Sequence, residues 1–331
     1  MRTSKIKYIF NIQIYTKLKL EMNTVDLKSI IENRFIVSDR DKVTQLTPTL
    51  LNNLGAVKWE LRDYSYMILS SWIWGWYDHT YYNNEELLQL AERAKSNIKI
   101  GLGEGESDGV FLRTYSILLL NDLTDFDRLH PYLEEKEIRA RLELYLTYLE
   151  KEQDLRGYVS PKKGWAHGIA HVADSLGIIS QNSYLNPSDL IQLLNAISSK
   201  LRQPISSVYL HSEEERLARA AVSICQQNLL TIEQISTWIK QLIEPDRRRP
   251  QGRFVWDDFE KHPWRKILTD PIEKLCAYRN IQNFIRALYF QWKHQDNRVN
   301  IKDLVQEEID RALQFIDTGF YQTEQGFFLN T

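Results

Sequence analysis

Residues Leu61–Leu69 read LRDYSYMIL and residues Leu112–Leu120 read LRTYSILLL, a shared L-R-x-Y-S-x-x-x-L pattern at a separation of 51. Self-similarity of this kind marks stacked supersecondary units, none of which can bury its apolar face alone. Weaker echoes follow at Leu155-Arg156-Gly157-Tyr158 and at Ile285-Arg286-Ala287-Leu288-Tyr289. HEAT-type units repeat about every 40 to 47 residues, so the irregular spacing predicts diverged units with insertions.

Outward from these stretches, apolar residues recur at the helical period and seldom at the strand period. Leu87, Leu88, Ala91 and Ala94 make one stripe. Ile138, Leu142, Leu144, Tyr145 and Leu149 make another, and Leu190, Leu193, Leu194, Ile197 and Leu201 a third. Breaks fall at Asn52-Asn53 with Gly55, Gly101 to Gly109, Pro131, Gly157 to Gly164, Asn186-Pro187 and Pro204. Pro187 before Ser188-Asp189 reads as a helix start, because proline fits the first helical turn. The expected fold is all-α: stacked antiparallel helix pairs forming an armadillo/HEAT-like α-solenoid, with residues 22–331 as a single helical-repeat domain.

Composition agrees with a globular chain. It has 331 residues, 43% of them hydrophobic, with 42 basic against 44 acidic side chains, a net charge of -2 and only 13 glycines. The near-zero charge gives no bulk field for nucleic acid, so no nucleic-acid partner is expected. The apolar stretch Tyr64 to Tyr77 (YSYMILSSWIWGWY) has 14 residues. A membrane-spanning helix needs about 20, so this one reads as buried and no transmembrane segment is expected. Cys225 and Cys276 lack C-x-x-C spacing and read as reduced thiols of a cytoplasmic protein. Residues 1–21 carry Arg2, Lys5, Lys7, Lys17 and Lys19 against Glu21 alone, without the apolar core of a secretory signal. They read as a loosely ordered basic extension. Glu244 to Phe254 (EPDRRRPQGRF) reads as a solvated loop rich in arginine.

Ile98 to Val110 (IKIGLGEGESDGV) falls where a dinucleotide-binding turn belongs, but Glu106 and Asp108 stand where the third glycine is needed, and the acidic side chains repel a pyrophosphate. P-loop and H-E-x-x-H strings are absent. One segment remains, Asp154 to Asp174 (DLRGYVSPKKGWAHGIAHVAD). On a helix from Trp165, the residues Trp165, Ile169, Val172, Ala173, Leu176 and Ile179 share one face, and His167, His171 and Asp174 the other. The i, i+4 histidines suit one metal ion, with a third ligand from elsewhere. Alternatively, Asp174 fixes the tautomer of His171. In Tyr209 to Ala221 (YLHSEEERLARAA), Leu217, Ala220, Ala221 and Ile224 define a buried stripe that Glu213 and Glu214 extend by one turn. Three readings stay open: a metal or catalytic site, an organic-ligand pocket, or a structural hydrogen-bond network. Arg62, Arg113, Arg156 and Arg216 are candidate ligand-binding residues, or partners for carboxylates of the next helical unit.

Leu61-Arg62-Asp63, Gly103-Glu104, Val110-Phe111 with Arg113 and Ser116, Asp154–Tyr158, Gly164–His167, Ala170-His171 with Ala173-Asp174, and Glu215–Ala218 together resemble a bacterial family, domain of unknown function 2785. The resemblance runs from about Thr24 to about Phe315. It implies an all-helical fold of the armadillo/HEAT type and assigns no activity, ligand or cofactor. Thr114-Tyr115 stands where the family has Ser-Phe. The functional expectation is a binding or scaffold protein with a polar groove lined by Trp165, His167, His171, Asp174 and Glu214, its partner a protein or small molecule. The alternative is a metal-dependent hydrolase-like enzyme with His167 and His171 as ligands and Glu214 as third ligand or general base.

Overall fold

The computed structural model describes residues 23–75, 81–243, 272–295 and 301–316. The basic residues 1–21 and the arginine-rich loop lie outside them. The described residues form helices α1 (Thr24–Glu32), α2 (Arg40–Asn53), α3 (Trp59–Trp74), α4 (Asn84–Ile98), α5 (Gly109–Leu129) and α6 (Glu135–Lys151). A two-stranded sheet of β1 (Tyr158–Ser160) and β2 (Gly164–Trp165) follows. Helices α7 (Gly168–Ile179), α8 (Pro187–Arg202), α9 (Glu213–Cys225), α10 (Ile232–Ile243), α11 (Ile272–Lys293) and α12 (Lys302–Ile316) complete the order. The protein is all-α.

Two compact units divide the chain. The first draws on Met1–Gly101, Ser107–Phe126 and Val159–Ala166, the second on Leu102–Glu106, Asp127–Tyr158 and His167–Thr331.

In the first unit α3 packs on α1 and α2. Its apolar run buries Ile68, Leu69, Trp72 and Ile73, and Gly75 ends it in the left-handed conformation at φ 64°. That is the usual helix stop, since glycine has no Cβ to clash there. The repeated sequence marks structurally equivalent positions. Asn53 at the end of α2 donates its amide to Ser65 Oγ on α3 at 3.1 Å, and Asn97 near the end of α4 donates to Ser116 Oγ on α5 at 3.2 Å. Arg62 donates to the Ala56 carbonyl in the loop before α3 at 2.7 Å, and Arg113 to the Ile100 carbonyl before α5 at 3.4 Å. The same residue type therefore closes the same kind of turn twice.

In the second unit α7 packs on α6 and α9, and α9 on α7, α8 and α11; α10 packs on α8 and α12. The stripes read from the sequence are buried in α6 and α8. Each buried leucine or isoleucine contributes about 1.5 to 3 kcal/mol relative to exposure. Pro187 starts α8 behind an Asn186–Asp189 capping box. Asp174 of α7 meets Arg216 of α9, and the Gly177 carbonyl accepts from Ser223 Oγ at 2.8 Å. Glu214 accepts from Asn283 of α11, and Gln226 donates to Gln295 just beyond it. These contacts advance in the same direction along both partners, so α7, α9 and α11 run parallel.

Candidate functional site

The helix read from Trp165 begins three residues later than expected. Trp165 belongs to β2 and is 39% exposed, and His167 is the N-cap of α7 with φ 55° and ψ 33°. Gly168 starts the helix, so Trp165 and Ile169 do not share a helical face. A non-glycine residue in the left-handed region is uncommon and costs energy that its surroundings must repay. Ser212, the N-cap of α9, has the same conformation at φ 65° and ψ 25°. Neither cap makes a side-chain bond to its own helix.

The two turns are instead joined through the His211 carbonyl, while the His211 N–H closes its own turn onto Glu213. His167 Nε2 lies 3.0 Å from the His211 carbonyl, and the His211 N–H donates to Glu213 Oε2 at 2.8 Å. A carbonyl only accepts, so Nε2 carries the proton and the lone pair of neutral His167 sits on Nδ1. Burial holds the His167 pKa below its ordinary value, against the opposing pull of Glu213 and the His211 carbonyl. Glu213 Oε1 stands 3.7 Å from His167 Nε2, and the His167 and His171 ring centroids are 5.8 Å apart. Gly157 admits the His211 ring: a Cβ there would stand 2.3 Å from Nδ1 and 2.7 Å from the Cβ of His211. Gly177 allows α7 and α9 to close, since its own Cβ would lie 3.4 Å from the Ala220 Cα.

Beside this pair sits a set of buried polar groups. Glu213 and Glu214 open α9, where acidic residues offset the helix dipole, but they are only 1% and 9% exposed. Tyr209 and Asn280 are as deeply buried. Asn280 Oδ1 accepts from the Tyr209 N–H at 2.9 Å, and Asn283, one turn on, donates to Glu214 Oε1 at 3.2 Å. Among the described residues, Glu213 Oε1, Glu214 Oε2, the Tyr209 hydroxyl and Asn280 Nδ2 have no hydrogen-bond partner. Burial raises the Glu214 pKa, with Glu213 adding to the shift. Burial likewise raises that of Tyr209, both carboxylates contributing. These three side chains therefore share one electrostatic neighbourhood.

The family model described as Protein of unknown function (DUF2785) matches residues 98–290. The chain belongs to that family. No curated protein and no solved structure matches it. Every residue of the polar cluster in this DUF2785 chain, from His167 to Asn283, falls inside the matched region.

The remaining candidates separate. Asp174 turns to Arg216 rather than to His171, the guanidinium gripping both carboxylate oxygens, with Nε to Oδ1 at 2.7 Å. Arg156 grips Asp154 in the same two-pronged way, at 2.8 and 2.6 Å. Arg62 and Arg113, expected to bind ligand, are fully buried. Arg62 donates to the Lys163 and Trp165 carbonyls as well as to Ala56, and lies 4.1 Å over the Phe111 ring. Both arginines anchor the turns that precede their own helices. Glu214, read as the third metal ligand, turns one oxygen to Asn283, and Glu213 is the carboxylate that approaches His167. Among the described residues, no group of three or more His, Cys, Asp and Glu side chains is placed to hold a metal ion. Gly105–Gly109 (GESDG) spells the G-x-S-x-G string of a nucleophile elbow, but α4 precedes it rather than the strand that an elbow requires.

Tyr209, His211, Asn280 and Asn283 are absent from the site read in the sequence. Asn280 had a signal: it occupies a stripe position between Ala277 and Phe284, where the period calls for an apolar residue.

Proposed function

We propose that this DUF2785 chain is a binding protein, built as an armadillo/HEAT-like α-solenoid, whose ligand site is the polar cluster at the first turns of α7 and α9 and the facing side of α11. The observation that carries the reading is the set of buried polar atoms without hydrogen-bond partners, among the described residues, on Tyr209, Glu213, Glu214 and Asn280. Leaving such an atom unpaired costs about 1 to 3 kcal/mol. A fold that keeps several in one place gains by having a ligand complete them. The solenoid reading is supported by the matched turn contacts of Arg62 and Arg113 and by the parallel run of α7, α9 and α11. Stacked helices of this kind present continuous binding surfaces. Cys225 and Cys276 are free and buried, which suits work in the reducing cytoplasm.

Thermal shift tests the reading. Wild type, His171→Ala and Glu213→Gln are compared against a panel of sugars, amines, carboxylates, phosphates and nucleosides. A ligand at about 100 times its Kd stabilises the native state by about 2.7 kcal/mol. The expected result is at least one compound that raises the Tm of wild type and leaves folded variants unmoved. Equal shifts in all three proteins, or no shift from any class, would refute the binding site. Elemental analysis of tag-free protein is the companion measurement. A stoichiometric metal lost in His167→Ala would move the reading to the metal-dependent enzyme.

A further inference from the structure

We infer that the polar cluster takes a small organic primary amine, held through its ammonium group by Glu213, Glu214 and Tyr209. The inference rests on the binding reading above and names the ligand class. Three oxygens in this cluster lack hydrogen-bond partners among the described residues: Glu213 Oε1, which has His167 Nε2 at 3.7 Å, Glu214 Oε2 and the Tyr209 hydroxyl. All three can accept, and two belong to carboxylates. The group complementary to three acceptors is one with three donors and no acceptor, which is an alkylammonium.

Charge points the same way. Buried carboxylates need a compensating cation or an exact set of donors. Arg216 gives its hydrogen bonds to Asp174 and reaches Glu213 only through space, and burial lowers the His167 pKa and so weakens the charge His167 offers Glu213. The helix dipole of α9 explains acidic residues at its start, but not their burial or their unpaired outer oxygens. A metal ion would need converging His, Cys, Asp and Glu donors, which the described residues do not supply. Phosphate or another anion would meet two carboxylates. Asn280 Nδ2, also without a partner, suits a carbonyl or hydroxyl oxygen on the same ligand. Amino alcohols and amino amides are thus favoured over simple alkylamines.

Isothermal titration of the full chain with four probes of similar size tests this: n-butylamine, n-butanol, butyrate and tetramethylammonium. Tetramethylammonium carries the charge without N–H donors. The expected result is binding of butylamine alone, tighter binding of 4-aminobutanol, and at least a tenfold loss of both affinities in Glu213→Gln. Tyr209→Phe, which removes one oxygen with little change of shape, gives a smaller loss and guards against misfolding of the first variant. Equal binding of butanol, or of tetramethylammonium, would overturn the ammonium assignment. So would amine binding unchanged in both variants. Where the amines fail but a sugar or phosphate from the thermal-shift panel binds in a Glu213-dependent way, this inference falls and the binding reading stands; where nothing binds, both fall. Polylysine, titrated in parallel, separates a free amine from a lysine side chain. Binding of polylysine in preference to the small amines also overturns the small-ligand assignment.

Discussion

The repeated turns of α3 and α5 and the joined turns of α7 and α9 both bury charged side chains, and they treat them in opposite ways. Arg62 and Arg113 place guanidinium groups against backbone carbonyls of the preceding loop, where the partner is fixed by the fold itself. Glu213 and Glu214 bury carboxylates with one oxygen each bonded and one left over. The first arrangement stabilises a turn through carbonyls that the fold itself supplies, leaving only Nε of the Arg62 guanidinium without a hydrogen bond among the described residues. The second lowers stability locally, which is the pattern of a site whose polar groups are completed by something else.

Breaking the first arrangement gives the largest effect. Arg62→Met leaves the Ala56, Lys163 and Trp165 carbonyls without their donor and removes the cation over Phe111. At about 1 to 3 kcal/mol for each buried group left unsatisfied, partly offset by relaxation, the expected loss is about 4 kcal/mol. Urea unfolding followed by circular dichroism measures it. A loss below about 1 kcal/mol would mean that the guanidinium is not structural and would return Arg62 to the ligand-binding candidates.

A pair of tyrosines sharpens the comparison at smaller scale. Tyr115 donates its hydroxyl to Asp63, whereas the Tyr209 hydroxyl has no partner among the described residues. Tyr115→Phe is expected to destabilise by about 1 to 2 kcal/mol, since it removes a hydrogen bond to a carboxyl group. Tyr209→Phe is expected to be neutral or to stabilise by up to about 1 kcal/mol, because it removes an unpaired buried oxygen. Opposite signs for one chemical change would separate structural from functional burial. Equal losses would show that Tyr209 is as fully bonded as Tyr115.

The sequence carried the helical part of this contrast well, for physical reasons that particular residues show. Periodicity exposes a buried stripe directly, so Leu190 to Leu201 and the extension of the α9 stripe to Glu213 and Glu214 were legible. The repeat at Leu61 and Leu112 marked real equivalents, though it carried no sign that their arginines would bind carbonyls. A guanidinium has the same side chain whether it meets a carboxylate or a loop. The position of His167 was misjudged because a left-handed cap has no one-letter signature when it is not glycine or asparagine. The contribution of α11 lies about 70 residues beyond α9 in the chain, and only the misplaced polarity of Asn280 announced it.

The smallest expected effect is the most specific to the α7–α9 pair. His167 has a lowered pKa in the folded chain, with burial as the main cause. As pH falls through about 6.5, the unfolded chain takes up a proton at His167 before the folded chain does, so stability drops below that pH. The drop stops once pH passes the folded pKa. Glu214, raised by burial, acts in the opposite sense: its folded carboxyl still holds a proton above pH 4.5 where the unfolded one has lost it, so stability falls as pH rises from there. Urea midpoints between pH 4 and 8 then resolve the two. His167→Asn keeps a residue that tolerates the left-handed cap and removes the titration. Relative to it, wild type should lose stability only below about pH 6.5. Relative to Glu214→Gln, wild type should lose stability only above pH 4.5. If His167→Asn and wild type run parallel across the whole range, burial between the two helix starts does not lower the His167 pKa.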